Sequence, residues 1–454
     1  MHRRNRSIAV LAIAALVASA CGNAKTKDNA VVTTQPPGVT TTTADTSQNV
    51  PVDEKGVSDT EIKFTSIATG KNNILGTNIR DAYNDGIQAY FAYRNASGGI
   101  YGRDLVLAKT RDDELVFNQR EAKAMIAEDD SFGAFVAVLQ FPGAVDLAKA
   151  EVPTYGWGIH QDFADHPSMY GHLGALCLGC IGRTSPYIAK TIGAKVVGIL
   201  GYNVANSSVC AEGLRDSFNK FEPELGIKVG LFDVGEGFGL PNGLAAQVTK
   251  MKAAKVDFVT ACMDLNGMKT LGDELKKQGL DDVVMYHPNT YNQEFVTEAG
   301  GIFEGDYIAP QFVPYENKLD TEMQNKFFEY TDKAGVVREE LTMIGWIDAD
   351  MAYTGLLKAG PKFSRQSVID GLNRVTNYNA GGLVATIDWT KQHSDPKADP
   401  TKRGAFECFS PVKVTNGKFV PAFTVDKKPW TCWSNASSEW SEPTQMAFSD
   451  STSG

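Results

Sequence analysis

The sequence predicts an α/β protein built from two similar Rossmann-like lobes, each with a parallel sheet covered by helices. Segments rich in valine and isoleucine alternate with amphipathic helical segments along almost the whole chain after residue 55. Such alternation is typical of parallel sheets that are buried on both faces. It occurs as two consecutive series, and about 400 residues are too many for a single core.

The composition is that of a soluble globular chain, with 43% hydrophobic and 22% charged residues. The net charge is −10, from 44 basic and 54 acidic residues. No cluster of basic residues is interleaved with aromatic ones, so we expect no nucleic acid partner.

The first 21 residues have the organisation of an export signal. Three arginines stand within residues 2–6, the apolar run Ile8–Val17 follows, and small residues precede Cys21. The run is too short to span a bilayer. Cys21 resembles the acylated cysteine of a bacterial lipobox, although Ala18 stands where Leu, Val or Ile is usual. We expect residues 1–21 to be a lipoprotein signal peptide, and the exported protein to be anchored to the cell membrane through Cys21. An ordinary signal peptide is the alternative.

Residues 22–55 are rich in Thr, Pro, Gln and Asp and have almost no large apolar side chain. Such a segment cannot bury enough surface to fold, so we expect a disordered tether. Residues 446–454 are expected to form a tail.

The first series begins with the alternating strand Glu61–Ile67 and a helix whose apolar face includes Tyr83 and Tyr90. Gly98 and Gly99 are expected to end that helix, because a residue without Cβ takes a positive φ at little cost. The remaining predicted elements are the strand Leu105–Leu107, the helix Asn118–Glu128, the strand Ala134–Leu139, the helix Val145–Ala150 and the strand Val152–Gly156.

The second series repeats the pattern. Its predicted elements are the strand Lys195–Leu200, the helix Ala211–Phe221, the strand Ile227–Asp233, the helix Gly243–Ala253, the strand Val256–Ala261, the helix Met268–Gln278 and the strand Val283–Tyr286.

Several short motifs resemble the type I periplasmic solute-binding proteins, the Leu/Ile/Val-binding family of branched-chain amino acid ABC importers. They are the crossover Asn95–Glu114, the start Gly56–Ile62, the helix–strand unit Ala246–Val259, the return Phe303–Tyr307, the late helix Ile347–Tyr353 and the hairpin Asn416–Val420. Each motif is weak alone, but their order is specific, and the resemblance extends from Gly56 to Ala422.

The resemblance implies three crossings between the lobes, which we place near Cys177–Arg183, Phe303–Ala309 and Thr386–Asp399. The first lobe would comprise residues 56–180 with 308–390, and the second residues 181–307 with 391–445. The implied function is the extracytoplasmic solute-binding component of an ABC import system. Its partners would be a small-molecule solute and the permease subunits. We expect a monomer without cofactor.

Ligands of open α/β sheets bind beyond the carboxyl ends of the strands, and two such lobes enclose them by a hinge motion. The candidate ligand-binding residues are Ala68, Thr69, Gln140, Phe141, Gly156 and Trp157 in the first lobe, and Tyr202, Asn203, Asp264, Asn266 and Tyr291 in the second. The backbone amides of residues 140–143 precede a predicted helix and suit a carboxylate. The rings of Phe141, Trp157, Tyr202 and Tyr291 would line an apolar part of the solute, with ordinary packing as the alternative for each.

Two departures from the family leave the ligand open. Amino-acid binders of the family have Ser or Thr after the third strand, where this chain has Gln140–Pro142, and an acid near the loop Asn289–Tyr291, where this chain has none. Asp264 is the candidate to replace that charge, and a helix cap is its alternative role. An amino acid, an amide, a small acid and an aromatic compound all remain compatible.

Six cysteines besides Cys21 indicate disulfides in an exported chain, with fifteen possible pairings. Cys408 and Cys432 flank a predicted strand pair, Cys210 and Cys262 follow strands that should be neighbours, and Cys177 and Cys180 remain. The last two would also suit a redox site or half a zinc site, but no second pair of ligands stands at the required spacing.

Enzyme motifs are missing from the sequence: it has no Gly-x-Ser-x-Gly, no P-loop and no His-Glu-x-x-His. Gly235-x-Gly-x-Gly239 has the wrong spacing for a dinucleotide site and is interpreted as a flexible loop. A polar cluster comprises His160, Asp162, Asp165, His166 and His172, but its spacing places the histidines on no common face, so no metal is expected. A sensing receptor of the same fold and a secreted hydrolase are the alternative functions.

Overall fold

The computed structural model describes residues 46–71, 79–394 and 404–448 of the 454-residue chain. The signal peptide, Cys21 and most of the tether lie outside these ranges, as do the last residues of the tail and the end of the third predicted crossing. Within the described ranges, no helix is both long and apolar enough to cross a membrane.

The first sheet has five parallel strands in the order β2-β1-β3-β4-β5. The strands are β1 (Glu61–Ala68), β2 (Asp104–Asp112), β3 (Gly133–Ala137), β4 (Thr154–Gly156) and β5 (Met169–Gly171). The helices between them are α1 (Arg80–Asn95), α2 (Asn118–Glu128), α3 (Ala144–Lys149) and α4 (Asp162–Asp165). Three later helices complete this lobe: α10 (Glu322–Ala334), α11 (Glu340–Ala359) and α12 (Arg365–Leu372).

The second sheet has seven strands in the order β13-β12-β10-β9-β8-β6-β7. Its parallel strands are β6 (Val196–Tyr202), β7 (Lys228–Glu236), β8 (Phe258–Cys262), β9 (Val284–His287) and β10 (Tyr307–Ile308), and the hairpin β12 (Val412–Thr415) and β13 (Lys418–Pro421) joins antiparallel to β10. Its helices are α5 (Thr184–Thr191), α6 (Ala205–Leu225), α7 (Ala245–Ala254), α8 (Leu265–Lys277) and α9 (Gln293–Glu298).

A small antiparallel sheet near the C-terminus was not predicted. It consists of β11 (Phe406–Phe409), β14 (Trp430–Ser434) and β15 (Thr444–Met446) in the order β11-β14-β15. Its strands are short and separated by long connections, so the sequence pattern was too weak to indicate them.

The predicted fold class is confirmed, with two parallel-rich sheets and alternating helices. The helix Asn118–Glu128 has the predicted bounds, whereas α6 begins six residues before and ends four residues after the predicted helix Ala211–Phe221. Strand β2 continues to Asp112, beyond the predicted Leu105–Leu107. It lies at the edge of its sheet, where polar side chains face water, and therefore lacks an extended apolar pattern.

Gly98 and Gly99 end helix α1 as predicted, with φ values of 94° and 65°. A Cβ atom on Gly99 would also lie 2.0 Å from the carbonyl oxygen of Arg103, so two independent constraints require glycine there.

Helices α1 and α11 pack closely through glycines and buried tyrosine–aspartate hydrogen bonds. A Cβ atom on Gly86 would lie 1.9 Å from the carbonyl oxygen of Thr342. The Tyr83 hydroxyl donates to Asp348 Oδ2 at 2.6 Å, and the Tyr90 hydroxyl donates to Asp350 Oδ1 at 2.7 Å. These contacts hold α11, which is distant in sequence, against the first sheet.

The six cysteines that follow the tether lie in three pairs with their sulfur atoms within bonding distance. The pairs are Cys177 with Cys180, Cys210 with Cys262, and Cys408 with Cys432. Cys408 and Cys432 stand directly opposite each other in the register of β11 and β14. Cys210 lies on helix α6 and Cys262 at the end of β8.

Candidate functional site

A cavity of about 160 Å³ lies between the two lobes, beyond the carboxyl ends of the strands of both sheets. The first lobe and the crossing after β5 supply Leu139, Trp157, Ile159, Leu176 and Leu178. The second lobe and the segment after β10 supply Tyr202, Val204, Asn206, Ser207, Cys210, Phe238, Cys262, Met263, Asp264, Pro288, Asn289 and Gln311. Carboxyl ends of parallel strands meet at one edge of a sheet, so these loops converge on one place.

Tyr202 and Asp264 form the polar pair of the second-lobe wall. The Tyr202 hydroxyl donates to Asp264 Oδ1 at 2.5 Å. The same carboxylate caps helix α8, accepting from the backbone amides of Asn266 at 3.2 Å and Gly267 at 3.3 Å. Burial, and then the negative charge of Asp264, raise the pKa of Tyr202, so its hydroxyl is a neutral donor.

Among the described residues, the cavity wall carries the carboxylate of Asp264 and no basic side chain. Asp264 forms no ion pair with any Lys, Arg or His within the described ranges. The carboxylate is held only by neutral donors, namely the tyrosine hydroxyl and two amides at a helix N-terminus. A positively charged or hydrogen-bond-donating group of a ligand is therefore favoured beside it.

Two polar atoms of the wall, Trp157 Nε1 and Asn289 Oδ1, are buried without a hydrogen-bond partner among the described residues. Gln311, also on the wall, forms a side-chain hydrogen bond with His172. A buried polar group without a partner costs about 1–3 kcal/mol, so such atoms mark positions where a bound molecule would complete the hydrogen bonding. Trp157 is 5% exposed and offers a donor, whereas the Asn289 side-chain oxygen is an acceptor.

Three of the predicted ligand-binding residues, Trp157, Tyr202 and Asp264, line this cavity together. Asp264 takes the helix-cap role at the same time as its place on the wall. Asn266 follows it in the first turn of α8. Asn203 and Gln140 are exposed beside the cavity. The backbone N–H of Asn203 donates to the backbone carbonyl of Glu236 at 2.7 Å.

Phe141 and Tyr291, which were expected to line the cavity, serve packing in the structure. Phe141 is 5% exposed, and its ring centroid lies 5.6 Å from that of Phe163. Tyr291 is 2% exposed, its ring lies 4.8 Å from that of Phe419, and its hydroxyl donates to Glu316 Oε2 at 2.6 Å. An acid does therefore stand near the loop Asn289–Tyr291, but residue 316 supplies it from a distant part of the sequence.

The backbone amides of residues 140–143 are less available to bind a carboxylate than was predicted. The Gly143 amide donates to Asn118 Oδ1 at 2.9 Å, and the next amide, of Ala144, donates to the Phe141 carbonyl at 3.2 Å. Helix α3 has only six residues, so its dipole is short.

Ala68 and Gly156 end strands β1 and β4, and Thr69 follows β1 directly, but none of the three lines the cavity. Ala68 and Thr69 are fully buried, and the Thr69 carbonyl accepts from the amides of Ile79 and Arg80. A Cβ atom on Gly156 would lie 2.3 Å from the Val136 carbonyl oxygen, so Gly156 allows close packing of β3 and β4. Residues 72–78, which follow the Thr69 loop, are outside the described ranges.

Sequence reasoning missed several lining residues. Phe238 stands in the glycine-rich loop that was interpreted as flexible, and Gln311 follows a strand of two residues that no sequence pattern indicates. Asn206 and Ser207 begin a helix whose start was placed too late. Leu176 and Leu178 flank Cys177 in the crossing between the lobes.

Two histidines of the polar cluster, His160 and His172, form separate hydrogen bonds with backbone groups. His160 Nε2 lies 2.8 Å from the Val138 carbonyl oxygen, and His172 Nδ1 accepts from the Gly158 amide at 3.1 Å. Burial lowers the pKa of each of these histidines to about 4. Across the described part of the chain, no three His, Cys, Asp or Glu side chains are arranged to hold a metal ion.

A sequence model of the periplasmic binding protein family matches residues 74–400, which is more than half of the chain. The chain belongs to the periplasmic binding protein family. Its two-lobed fold and the cavity between the lobes are those of an extracytoplasmic solute-binding protein. A search of curated protein sequences finds no significant match.

Solved structures of periplasmic binding proteins resemble this one throughout their length. A fatty acid ABC transporter substrate-binding protein from Thermomonospora curvata has a TM-score of 0.64 at 17% identity, covering 82% of this chain and 95% of its own. A branched-chain amino acid ABC transporter protein from Thermus thermophilus with bound valine has a TM-score of 0.60 at 17% identity, with coverages of 81% and 97%. A solute-binding protein from R. palustris in complex with benzoate has a TM-score of 0.60 at 14% identity, with coverages of 86% and 98%. At these identities the similarity establishes the fold.

Proposed function

We propose that this periplasmic binding protein delivers a small solute from its inter-lobe cavity to the permease of an ABC import system. The cavity itself supports this proposal. Trp157 of one lobe and Tyr202 and Asp264 of the other line the same cavity, which has a volume of about 160 Å³. A solute in contact with both lobes stabilises the closed form by its differential affinity for the two states. The permease then recognises the closed form.

The cavity favours a compact, largely apolar solute with one polar end that carries hydrogen-bond donors. Leucine, isoleucine, methionine and phenylalanine side chains form much of its wall. The Trp157 N–H needs an acceptor, the side-chain oxygen of Asn289 needs a donor, and Asp264 favours a donor or cation. An apolar amino acid or a primary amide provides both kinds of group, whereas a simple carboxylic acid ionised at neutral pH has no donor.

We propose that the protein is not an enzyme. Ser207 carries the cavity-wall hydroxyl that most resembles a catalytic nucleophile, but this hydroxyl is hydrogen-bonded to the backbone. The Ser207 oxygen accepts from the Tyr202 backbone amide at 2.6 Å, and its O–H donates to the Cys262 carbonyl. A serine nucleophile needs a base within hydrogen-bond reach instead.

We propose further that Cys21 is acylated and tethers the protein to the outer face of the membrane through residues 22–55. The lobes would be residues 56–180 with 308–390 and residues 181–307 with 391–445, the protein would be a monomer, and the three cysteine pairs would be disulfides. The paired sulfur atoms support the last of these. Mass spectrometry of the mature N-terminus and of non-reduced peptides tests the lipid and the bonds.

A thermal-shift panel tests solute binding. The panel contains valine, leucine, isobutyramide, butyrate and benzoate. A ligand at 100 times its Kd adds about 2.7 kcal/mol to the free energy of unfolding, so a tight ligand raises the Tm. We expect an amino acid or amide to raise it and the two acids to leave it unchanged.

Trp157→Phe is the matched variant, because it keeps an aromatic ring and removes the unpartnered N–H together with the second ring of the indole. It should reduce the shift caused by the active compound. Failure of every member of a wider panel of amino acids, amides and acids to change the Tm would contradict solute binding. A specific solute that supports no uptake by the permease would favour the sensing receptor.

A further inference from the structure

A buried histidine of the first lobe forms a hydrogen bond with a cavity residue of the second lobe. His160 follows strand β4, and Asn206 lies in the first turn of helix α6. His160 Nδ1 and Asn206 Nδ2 are 2.7 Å apart. Asn206 is part of the cavity wall, whereas His160 lies behind it, so the contact joins the lobes at the edge of the candidate site.

The second nitrogen of His160 determines the direction of this bond. His160 Nε2 lies 2.8 Å from the Val138 carbonyl oxygen, which accepts hydrogen bonds and cannot donate. The proton of the neutral ring is therefore on Nε2, and Nδ1 carries a lone pair. The Asn206 amide nitrogen donates to that lone pair, and both ring nitrogens are satisfied.

Protonation of His160 is incompatible with this arrangement. A proton on Nδ1 would face the N–H group of Asn206, so a donor would oppose a donor. His160 is 3% exposed, its ring packs 5.7 Å from that of Phe141, and burial lowers its pKa to about 4. The charged groups close to it in sequence, Asp162 and Asp165 on α4 and then His166, form no ion pair with it, and within the described ranges neither does any residue of α6.

We propose that the hydrogen bond between His160 and Asn206 is a latch that stabilises the closed arrangement of the lobes and orients the Asn206 amide in the cavity. His160 acts as a positioning residue, because it reaches the solute only through Asn206. Neutral His160 accepts this hydrogen bond, and replacement of either residue releases the latch. The latch operates in the protein without solute, so it can be tested whatever the solute proves to be.

Asn206→Asp tests the contact directly. The variant replaces the amide donor with a carboxylate, which requires a proton on His160 Nδ1 and stabilises the imidazolium. We expect NMR titration of the full-length protein to show an increase of at least two units in the His160 pKa, with the resonance assigned by His160→Gln. Asn203→Asp is the matched control, because it places the same charge on an exposed residue three positions earlier and should leave the His160 pKa almost unchanged. An equal response to both variants, or to neither, overturns the proposal.

Small-angle X-ray scattering of the solute-free protein tests the latch as a conformational device. At pH 7.5, His160→Phe and Asn206→Ala should each increase the radius of gyration, and the double variant should show no further increase, because both remove one interaction. Scattering identical to that of the wild type in Asn206→Ala contradicts the proposal. Since Asn206 is only partly buried, this variant remains informative if His160→Phe does not fold. Neither outcome depends on transport or on the solute, so failure of the latch is distinguishable from failure of the proposed function.

Discussion

The Tyr202 hydroxyl lies 2.5 Å from Asp264 Oδ1 and joins the end of strand β6 to the N-terminus of helix α8. Tyr202 is the last residue of β6 and Asp264 follows β8 by two residues, and these two strands are neighbours in the second sheet. A single hydrogen bond therefore connects two loops of the candidate site and directs a carboxylate that has no cationic partner among the described residues.

Replacement of this hydroxyl should have a measurable effect on stability. Tyr202→Phe keeps the ring and removes the hydrogen bond to Asp264. Hydrogen bonds to charged groups contribute about 1.5–3 kcal/mol, and partial exposure of Asp264 places the expected loss at the lower end. Urea denaturation measures it. Tyr187→Phe, whose hydroxyl makes no hydrogen bond within the described structure, should cost less than about 0.5 kcal/mol, and equal losses would argue against the pair.

Asp264→Asn should separate the charge of Asp264 from its capping role. Asparagine is also a good N-cap residue, so helix α8 should keep its stability. Loss of the negative charge should weaken the binding of an amine or amide about tenfold or more, as isothermal titration would show. The variant should in turn bind benzoate better than the wild type does. Unchanged affinity for both classes would show that Asp264 serves only as a cap.

Glu340 should make the stability of the protein depend on pH. Burial raises the pKa of Glu340 from an ordinary 4.5 to about 8, and a backbone hydrogen bond from Tyr291 offsets only part of this effect. Between these values the unfolded chain has released the proton and the folded protein still holds it. This contribution to the free energy of unfolding is therefore fully present below pH 4.5 and decreases as the pH rises to 8.

Glu340→Gln should abolish that decrease. The upper limit of the slope for one group is about 1.4 kcal/mol per pH unit. We expect the stability of the variant relative to the wild type to rise between pH 5 and pH 8 in urea denaturation series. A difference that is constant over this range would contradict the assignment.

Gly86→Ala should separate the helices α1 and α11. Alanine normally stabilises a helix relative to glycine by about 1 kcal/mol. Here the added Cβ would lie 1.9 Å from the Thr342 carbonyl oxygen, which belongs to the backbone and cannot rotate away. The expected result is a loss of about 1–3 kcal/mol. Gly235→Ala, at an exposed position near the end of β7 where the added Cβ meets only an Asp233 side-chain oxygen at 3.3 Å, is the control and should be nearly neutral.

Removal of the Cys210–Cys262 pair should lower the Tm. A cross-link over a sequence separation of 52 residues stabilises a protein by about 2–5 kcal/mol, mainly by restricting the unfolded chain. The double variant Cys210→Ser with Cys262→Ser should show this loss under oxidising conditions. Under strong reduction the wild type should lose stability as well. A wild type whose Tm is the same with and without reductant would mean that the cysteines are not bonded.

The parts of the fold that were predictable depend on local chemistry. Alternating apolar residues indicated β1, and continuous apolar runs indicated β3, β6 and β8, because the last three strands are buried on both faces. Gly98 and Gly99 marked the end of α1, because the turn requires positive φ. Strand β10, with two residues, and the edge strand β2 carried too little apolar pattern to be predicted in full.

The candidate site was predictable only in outline. The strand–loop order located Trp157, Tyr202 and Asp264, because ligands bind at the carboxyl ends of parallel strands. The same rule also selected Phe141 and Tyr291, whose rings turn into the core instead. Side-chain direction depends on neighbours that the sequence does not reveal, such as Phe163 and Phe419.

The sequence by itself determined the two α/β series, the family and the loops from which the site is built, since periodicity, glycine positions and motif order are local properties. Only the tertiary structure decided that His160 meets Asn206, that Glu316 lies beside Tyr291, and that the carboxylate of the cavity wall has no cationic partner among the described residues. Each of these depends on contacts between residues that are far apart in the chain. Such contacts follow from how the two lobes close upon each other, and no stretch of sequence encodes them alone.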